Sequence, residues 1–524
     1  MSISRVKKSS FMASAGTVSG ATAFSRVLGL LREQVMAYFF GAGMATDAFV
    51  TAFRVPNLLR DMFAEGALSS AFVPIFKDKL VRTSEEDAFR LANVVVTFIL
   101  LLVGLIVILG IVATPAIIFI SANGFTDSPE KFDLTVDLTR IMFVYLLLVS
   151  LSSLVMGMLN SFGRFGVPAL SPAMFNLGVV LTVVILYEHF QQPAYTLAVG
   201  VVIGGAGQLS IQLPALWRTG YRFRPRLDFL DEGLKRVVRL ITPMIVGLSA
   251  GRINILVNTL LASFLLEGSI SYLNYSYRLM HFPLGVFAVA LGTVTLPRVS
   301  EMASRNDMKG LSRAFSEAIG LNMLVVVPSA ACLAMLGPEI VDLIYHWGAF
   351  SDANAANTSL ALLHYSYGLI GFAAVRVTVP FFYAFGDSKL PMKISMFSVF
   401  VNLALYYPLI VILDFAGLAA ATSIAGLVNF SLLAYYLRTK QVYVEYGRLG
   451  LSFVRMGLAA LLAFYAARLV PYGISSGRGG VLDRLVDLGV PMLVGALLYL
   501  LLCLVFRVRE VTAIFSLFGS RKKP

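Results

Sequence analysis

Charged residues are scarce in this sequence: only 14% of its 524 residues are Asp, Glu, Lys or Arg. A soluble domain averages about 25% charged and about 45–50% apolar residues, whereas the hydrophobic fraction here is 58%. A water-soluble fold of this composition would have too few polar groups to cover its surface. The composition therefore fits a protein whose outer surface faces the acyl chains of a bilayer.

Cysteine and histidine are also rare, with two and four residues respectively. Cys332 and Cys503 lie in apolar runs, which argues against a disulfide framework or a thiolate metal site. The sequence has no P-loop, no G-x-S-x-G elbow and no G-x-G-x-x-G between a strand and a helix. These absences predict a protein that is not an enzyme, that holds no metal or other cofactor, and that is not driven directly by ATP.

Long apolar runs are abundant, for example 94–113, 142–159 and 490–506. A helix needs about 20 such residues to cross a bilayer, and lipid favours helices because it cannot satisfy backbone hydrogen bonds. The runs predict an all-α polytopic membrane protein with about fourteen transmembrane helices, the first of them too long for a signal peptide. The predicted spans are 11–40, 47–76, 91–120, 136–160, 168–187, 194–217, 240–265, 270–297, 314–336, 357–385, 391–413, 416–437, 451–470 and 485–506.

The positive charges follow this map of spans unevenly. If the N-terminus is cytoplasmic, 30 of the 42 Lys and Arg residues fall on the inner side and five fall on the outer side. Such asymmetry is the positive-inside pattern, and it predicts a bacterial inner-membrane protein with both termini in the cytoplasm. The net charge of +13 is then explained by basic loops beside anionic membrane lipids, without nucleic acid.

Two sequence motifs recur with the same offset of 223 residues. The pattern A-L-x-[S/T]-x-x-x-P occurs at 67–74 and 290–297, and F-G-x4-P occurs at 162–168 and 385–391. The recurrence predicts two six-helix lobes of the same orientation, a parallel repeat with a substrate path between the lobes. The predicted domains are 1–223 (spans 1–6), 224–446 (spans 7–12) and 447–524 (spans 13 and 14 with a basic tail).

Seven cations remain inside the apolar spans, and all are arginines. Each costs about 2.5–3.5 kcal/mol at the centre of a membrane helix, so each must face a cavity, a partner or the interface. A guanidinium suits planar, bidentate recognition of phosphate or carboxylate. Structural ion pairs with Glu33, Asp47, Asp61 or Glu65 are the alternative for any single arginine. The seven are Arg26, Arg32, Arg54, Arg60, Arg252, Arg278 and Arg376.

Several predicted spans contain proline, and among these prolines Pro56 and Pro283 lie close to the arginines, while Pro380 lies inside the tenth span. Proline frees a carbonyl group and kinks a helix, so helices that hinge around an anion site are one interpretation and ordinary membrane-helix kinks are the other. His281 lies one turn after Arg278 and could titrate near neutral pH. A hydrogen-bonded packing role is the alternative for this histidine.

Four blocks of the sequence resemble the MurJ (MviN) family. They are FSRVLGLLRE at 24–33, GAGMATDAF at 41–49, PNLLRDMFAEGA at 56–67 and RLMHFPLGVFAVALGT at 278–293. The resemblance extends over the full length, although the last third is matched mainly by topology. It implies a member of the multidrug/oligosaccharidyl-lipid/polysaccharide exporter superfamily, with two lobes in a V shape around a cationic cavity.

The resemblance also implies a function and a set of site residues. The family flips lipid II, the undecaprenyl-diphosphate-linked peptidoglycan precursor, from the cytoplasmic to the periplasmic leaflet by alternating access. Its essential cavity arginines correspond here to Arg26, Arg32, Arg60 and Arg278. Supporting roles in the cavity or in gating fall on the set Asp47, Arg54, Glu65 and His281. The sequence departs from the family at Tyr277 and His281, where we expect an acidic residue and a Glu or Gln.

Other functions fit the same composition. A related exporter could carry a different lipid-linked polysaccharide, and a scaffold for cell-wall synthesis would need no transport at all. Spans 13 and 14 could pack, hold a lipid tail or contact a partner such as a peptidoglycan synthase. Without a nucleotide site, the membrane potential or an ion gradient would supply energy, since one charge crossing 100 mV is worth about 2.3 kcal/mol.

Overall fold

The computed structural model describes residues 3–61, 67–250, 253–285, 289–443, 446–469 and 480–511. Within these ranges all regular secondary structure is helical and consists of twenty α-helices, α1 to α20, with a few short 3-10 helices between them. The all-α class that the continuous apolar runs predict is therefore confirmed.

The chain divides into two compact units, residues 1–270 and residues 271–524. The first ten helices are α1 (Ile3–Phe40), α2 (Met44–Arg60), α3 (Ala67–Arg82), α4 (Glu85–Ser121), α5 (Pro129–Ser161), α6 (Gly166–Leu186), α7 (Tyr195–Ser210), α8 (Leu213–Trp217), α9 (Glu232–Ala250) and α10 (Ile253–Ser263). The second ten are α11 (Ser269–Pro283), α12 (Val289–Ser304), α13 (Met308–Met335), α14 (Gly337–Tyr345), α15 (Asp352–Ser366), α16 (Gly368–Ala384), α17 (Lys389–Leu413), α18 (Ala416–Leu437), α19 (Tyr446–Arg468) and α20 (Val481–Val505).

Helices that can cross a membrane occur in both units. In the described part of the chain, nine helices are long and apolar enough, and α15 with α16 makes a tenth crossing if the bent pair is one span. These ten coincide with predicted spans and make the chain a multi-pass membrane protein. The remaining four predicted spans are 11–40, which lies in α1, and 47–76, 240–265 and 270–297, which include residues outside the described ranges. The total of fourteen stays a prediction.

The internal repeat is visible in the helix boundaries. Helices in the second half begin 223 residues after their counterparts in the first half, at the pairs Glu85 and Met308, Pro129 and Asp352, and Gly166 and Lys389. The helices α9 and α10, however, pack on α3 and α4 within the first unit. The predicted domain limits at 223 and 446 therefore stay a prediction.

The repeated F-G-x4-P motif builds the same helix end twice. Gly163 and Gly386 both adopt left-handed backbone angles, with φ of 76° and 70°, which a residue without a Cβ tolerates best. In each case the next amide reaches back five residues to a helical carbonyl oxygen, as in a Schellman cap. These hydrogen bonds run from Arg164 to Leu159 at 2.9 Å and from Asp387 to Phe382 at 3.0 Å.

Glycines allow α6 and α7 to cross at close range in the first unit. A Cβ atom on Gly204 would lie 2.5 Å from the backbone oxygen of Phe175, whereas one on Gly207 would meet its nearest atoms at 3.8 Å. Small residues at a membrane-helix crossing let the backbones approach. The α6–α7 pair in turn packs on α5 and on α1, which carries Arg26 and Arg32.

We expect Gly204→Ala to destabilise the protein and Gly207→Ala to leave it nearly unchanged. The backbone of Phe175 cannot move away from a new methyl group without shifting α6, and such overpacking costs about 1–3 kcal/mol. Both changes give α7 the same gain in helix propensity, so the comparison isolates the crossing. Thermal unfolding in detergent measures the difference, and equal melting temperatures would contradict this packing.

In the second unit, α15 and α16 meet at a bend of 41°, which lies at Tyr367 and not at Pro380. The hydroxyl group of Ser423 on α18 donates to the carbonyl oxygen of His364 at 2.7 Å, so this carbonyl remains satisfied where the helix breaks. Beside it, Gly371 allows α16 to approach α18 closely, since a Cβ there would lie 2.5 Å from the carbonyl carbon of Gly426. A side-chain donor on a neighbouring helix thus supports the bend.

The last two helices pack on the second unit. α19 contacts α13, and α20 contacts α14 and α19. The guanidinium of Arg484 donates to the carbonyl oxygens of Asp342 and His346, at 2.9 and 2.7 Å, and stacks over the Trp347 ring at 3.9 Å. A cation at the carboxyl end of α14 stabilises that helix end and fixes the start of α20.

Candidate functional site

Helix α1 presents two of the predicted arginines. Arg26 is exposed, and it forms no ion pair with any residue that the structure describes. Arg32 is largely buried: it pairs with Glu33 at 2.6 Å and lies 5.5 Å from the ring centre of Phe175 on α6. Six residues separate the two arginines, which places them about 9 Å apart along the helix axis.

Helix α2 presents the next two arginines, on a segment that passes through Pro56. Arg54 donates a hydrogen bond to the hydroxyl group of Thr259 on α10. Arg60 pairs with Asp61 at 3.2 Å, and both side chains keep some exposure, 21% and 14%. Because α1 and α2 are adjacent, the four arginines belong to one region of the first unit.

Asp47 has a different partner from the one that its sequence position suggests. It is spaced seven residues from Arg54, but its carboxylate accepts from Lys131 on α5 at 2.8 Å and from the amide of Gly268 at 2.8 Å. The aspartate is 1% exposed and Lys131 is 8% exposed. Lys131 also lies 4.3 Å from the ring centre of Phe125. Asp47 thus joins the start of α2 to Lys131 on α5 and to the backbone at Gly268.

The same end of α2 has a second carboxylate. Glu267 accepts from the amide of Met44, the first residue of α2, at 2.9 Å. The first amides of a helix have no partner inside it, and a carboxylate there also stabilises the helix dipole. Together with the Asp47–Gly268 bond, this contact fixes the residues just before α11 to the beginning of α2.

In the second unit, Arg278 on α11 is exposed, as is Arg376 on α16. The charges of both arginines act on His281, whose Nδ1 atom lies 3.1 Å from the carbonyl oxygen of Tyr277. The ring centres of Tyr277 and His281 lie 4.0 Å apart with the ring planes tilted by 39°, and Tyr277 meets Tyr365 edge-on at 5.6 Å. A cationic patch with an aromatic edge therefore surrounds His281, which is consistent with the histidine being a packing residue.

Positive charge exceeds negative charge along α1 and α2. Residues 26–61 contain four arginines and three carboxylates, and Lys131 neutralises one of the carboxylates, Asp47. Charge that is left over in an apolar span must be matched by an anion or by water. Glu65 and Arg252 lie outside the described residues.

A cavity of about 620 Å³ in the first unit has the opposite character. Its lining includes Glu130, Asp133, Asp137, His189 and Tyr195, on residues at the start of α5 and before α7. Three carboxylates would repel an anionic ligand. The cavity therefore does not serve as the anion site.

The structure brings Arg54 to Thr259, Arg32 to Phe175 and Asp47 to Lys131, and none of these partners follows from local spacing. The sequence does single out Lys131 in one respect, because it is one of only five cations on the predicted outer side. The assignment of Arg26, Arg32, Arg60 and Arg278 to substrate binding stays a prediction. The same holds for the supporting roles of Asp47, Arg54, Glu65 and His281.

Comparison with known proteins decides the family. A family model described as the lipid II flippase MurJ matches residues 36–481. This chain belongs to the MurJ family. It is 33% identical over 482 residues to the probable lipid II flippase MurJ of Buchnera aphidicola subsp. Schizaphis graminum, covering 92% of this chain and 94% of that protein. It is also 33% identical over 431 residues to the lipid II flippase MurJ of Burkholderia cenocepacia, covering 82% and 84%.

Solved structures agree with the MurJ assignment. A lipid II flippase MurJ in an inward closed conformation matches with a TM-score of 0.76 at 26% identity, covering 94% of this chain and 98% of that one. An inward-facing MATE transporter of the MOP superfamily matches with a TM-score of 0.66 at 14% identity, covering 79% and 94%. The second match shows the fold alone. The chain has the MurJ fold, and its predicted place in the multidrug/oligosaccharidyl-lipid/polysaccharide exporter superfamily stays a prediction.

Proposed function

We propose that this chain translocates lipid II from the cytoplasmic to the periplasmic leaflet of a bacterial inner membrane, for cell-wall synthesis. The observation that carries the proposal is the excess of arginine over carboxylate on α1 and α2 in a chain of the MurJ family. The positive-inside pattern supports the orientation, with both termini in the cytoplasm.

In this mechanism the arginines bind the diphosphate of the substrate. The arginines that we assign to this binding are Arg26, Arg32, Arg60 and Arg278. Charge-assisted hydrogen bonds from guanidinium to phosphate are among the stronger ones in proteins. Glu33 and Asp61 hold Arg32 and Arg60 when no substrate is bound. The sugar–peptide headgroup travels through a polar cavity while the polyprenyl tail stays in lipid. No bond is made or broken, so the protein is not an enzyme.

Alternating access supplies the movement. The contacts of Asp47 and Glu267 with the residues before α11 support a gating role for the start of α2. The membrane potential or an ion gradient drives the cycle. The packing of α19 and α20 on α13 and α14 supports a peripheral role for these two helices, either at the substrate's tail or at a peptidoglycan synthase.

The test is a lipid II accessibility assay in cells that are depleted of their own flippase and carry this chain. An enzyme restricted to the periplasm cleaves lipid II that has reached the outer leaflet. Cleavage that returns with the chain and is lost with Arg278→Ala supports flipping. Membrane-inserted protein without cleavage would contradict the proposal.

A further inference from the structure

The segment between α8 and α9 in the first unit combines exposed arginines with exposed apolar side chains. Residues 221–230, here called the strap, read Tyr-Arg-Phe-Arg-Pro-Arg-Leu-Asp-Phe-Leu and contain no helix or strand. Leu227, Phe229 and Leu230 are 65%, 59% and 77% exposed. Neither the anion site nor the gating contacts use these residues.

The strap is fixed along α4 by its own backbone. The amides of Arg224 and Arg226 donate to the side-chain oxygens of Asn93 and Thr97, both at 3.0 Å. Positions four apart on a helix are separated by about 6 Å along its axis, and two residues of extended chain cover about 6.6–7.2 Å. The strap is therefore extended here and runs beside α4 in the same direction.

The point of attachment is the place where α4 becomes apolar. The first turns of α4 carry Glu85, Glu86, Asp87 and Arg90, and the long apolar run begins at Val94. Because Asn93 and Thr97 flank that boundary, Arg224 and Arg226 lie at the level where headgroups meet acyl chains. Phe229, farther along, contacts Phe98 with 6.4 Å between the ring centres, and so lies at the level of the acyl chains.

The arginines of the strap differ in what they bind. Arg222 donates to the carbonyl oxygens of Trp217 and Tyr221, at 2.9 and 3.0 Å, and therefore caps the end of α8. The guanidinium groups of Arg224 and Arg226 are exposed and bind no side chain or carbonyl group among the described residues. Two cations beside exposed apolar groups at a headgroup level match the chemistry of an interfacial lipid site.

We propose that the strap binds the phosphate headgroups of anionic phospholipids through Arg224 and Arg226, while Leu227, Phe229 and Leu230 enter the acyl region. The strap thereby anchors the first unit at the leaflet where α4 begins. An anionic surface attracts each nearby arginine with about 1 kcal/mol, a factor of about five in binding. This inference does not depend on lipid II being the transported substrate.

Trp217, which is 50% exposed at the end of α8, provides a reporter beside the strap. The chain has two tryptophans, so Trp347→Phe leaves Trp217 alone in the full-length protein. The protein is reconstituted into phosphatidylcholine vesicles that contain one of two brominated lipids, phosphatidylglycerol or phosphatidylcholine. Each carries bromine near the headgroup end of its acyl chain. Quenching by the two brominated lipids at equal mole fraction gives their relative affinity for the surroundings of Trp217.

We expect brominated phosphatidylglycerol to bind at least fivefold better than brominated phosphatidylcholine. The double variant Arg224→Gln/Arg226→Gln should lose this preference, because the backbone amides that attach the strap remain. Lys309→Gln/Arg313→Gln, which removes the same charge from exposed positions on α13, should keep it. In the protein with an unsubstituted strap, added salt should lower the preference for phosphatidylglycerol, because salt screens the attraction between charges.

Three results would overturn the proposal. The first is equal quenching by the two lipids with the strap intact. The second is a preference that persists in Arg224→Gln/Arg226→Gln. The third is displacement of brominated phosphatidylglycerol by small amounts of undecaprenyl diphosphate, which would make the strap a site for the transported lipid instead of for bilayer phospholipid.

Discussion

Arg278→Ala is expected to abolish lipid II translocation and to lower lipid II affinity about 10- to 100-fold, while the protein remains folded in the membrane. A hydrogen bond to a charged group contributes about 1.5–3 kcal/mol, and the exposed guanidinium of Arg278 can be removed without opening a buried cavity. Binding of lipid II to the purified protein in nanodiscs measures the affinity. The accessibility assay in depleted cells measures translocation.

Two matched variants serve as controls for Arg278→Ala. Arg278→Lys keeps the charge but not the bidentate geometry, so we expect intermediate activity. Arg305→Ala removes an exposed arginine just after α12, whose ion pair with Glu301 at 2.7 Å is also exposed. Such pairs contribute little, and full activity is expected. Arg60→Ala should also inactivate the protein, although the loss then includes the ion pair with Asp61. An Arg278→Ala variant that binds and flips lipid II normally would remove Arg278 from the anion site.

Lys131→Met is expected to destabilise the protein by about 3–5 kcal/mol, because it leaves the Asp47 carboxylate buried without its counter-ion. The two residues are separated by 84 positions and their 2.8 Å ion pair is nearly excluded from solvent. Thermal unfolding in detergent measures the loss. Lys131→Arg should retain most of the stability, since it keeps the charge.

The double variant Asp47→Asn/Lys131→Met separates charge from packing. Asparagine still accepts from the amide of Gly268, and no buried charge remains, so the double variant should be more stable than Lys131→Met alone. Lys235→Met is the surface control, because its pair with Glu232 is exposed and should contribute less than about 1 kcal/mol. An Lys131→Met protein that melts like the unsubstituted protein would show that the buried pair carries no stability.

Much of the fold could be predicted from the sequence because lipid imposes strong local rules. Ten predicted spans coincide with helices or with a bent helix pair, since each apolar run must satisfy its own backbone hydrogen bonds. The repeat could be predicted from two short motifs. In the F-G-x4-P motif, Gly163 and Gly386 each end a helix with a left-handed turn, and this backbone geometry favours glycine, so the requirement is visible in the sequence.

The remaining features depend on contacts between distant residues. The hydrogen bond from Arg54 to Thr259 joins residues 205 positions apart, and no local spacing indicates it. The bend at Tyr367 depends on Ser423 of another helix, whereas the sequence directed attention to Pro380. The ion pair of Asp47 with Lys131 joins residues 84 positions apart on two helices, so the sequence around Asp47 does not indicate this partner.

The most direct test of the central claim is translocation by the purified protein in vesicles. Lipid II with a fluorophore on its peptide is placed in both leaflets, and dithionite added outside reduces only the outer fluorophores. Vesicles with this chain should lose most of their total fluorescence, because inner lipid II reaches the outer leaflet. Vesicles with Arg278→Ala should keep about half of the total fluorescence, as protein-free vesicles do. Equal protection with the unsubstituted chain and with Arg278→Ala would contradict an arginine-dependent lipid II flippase.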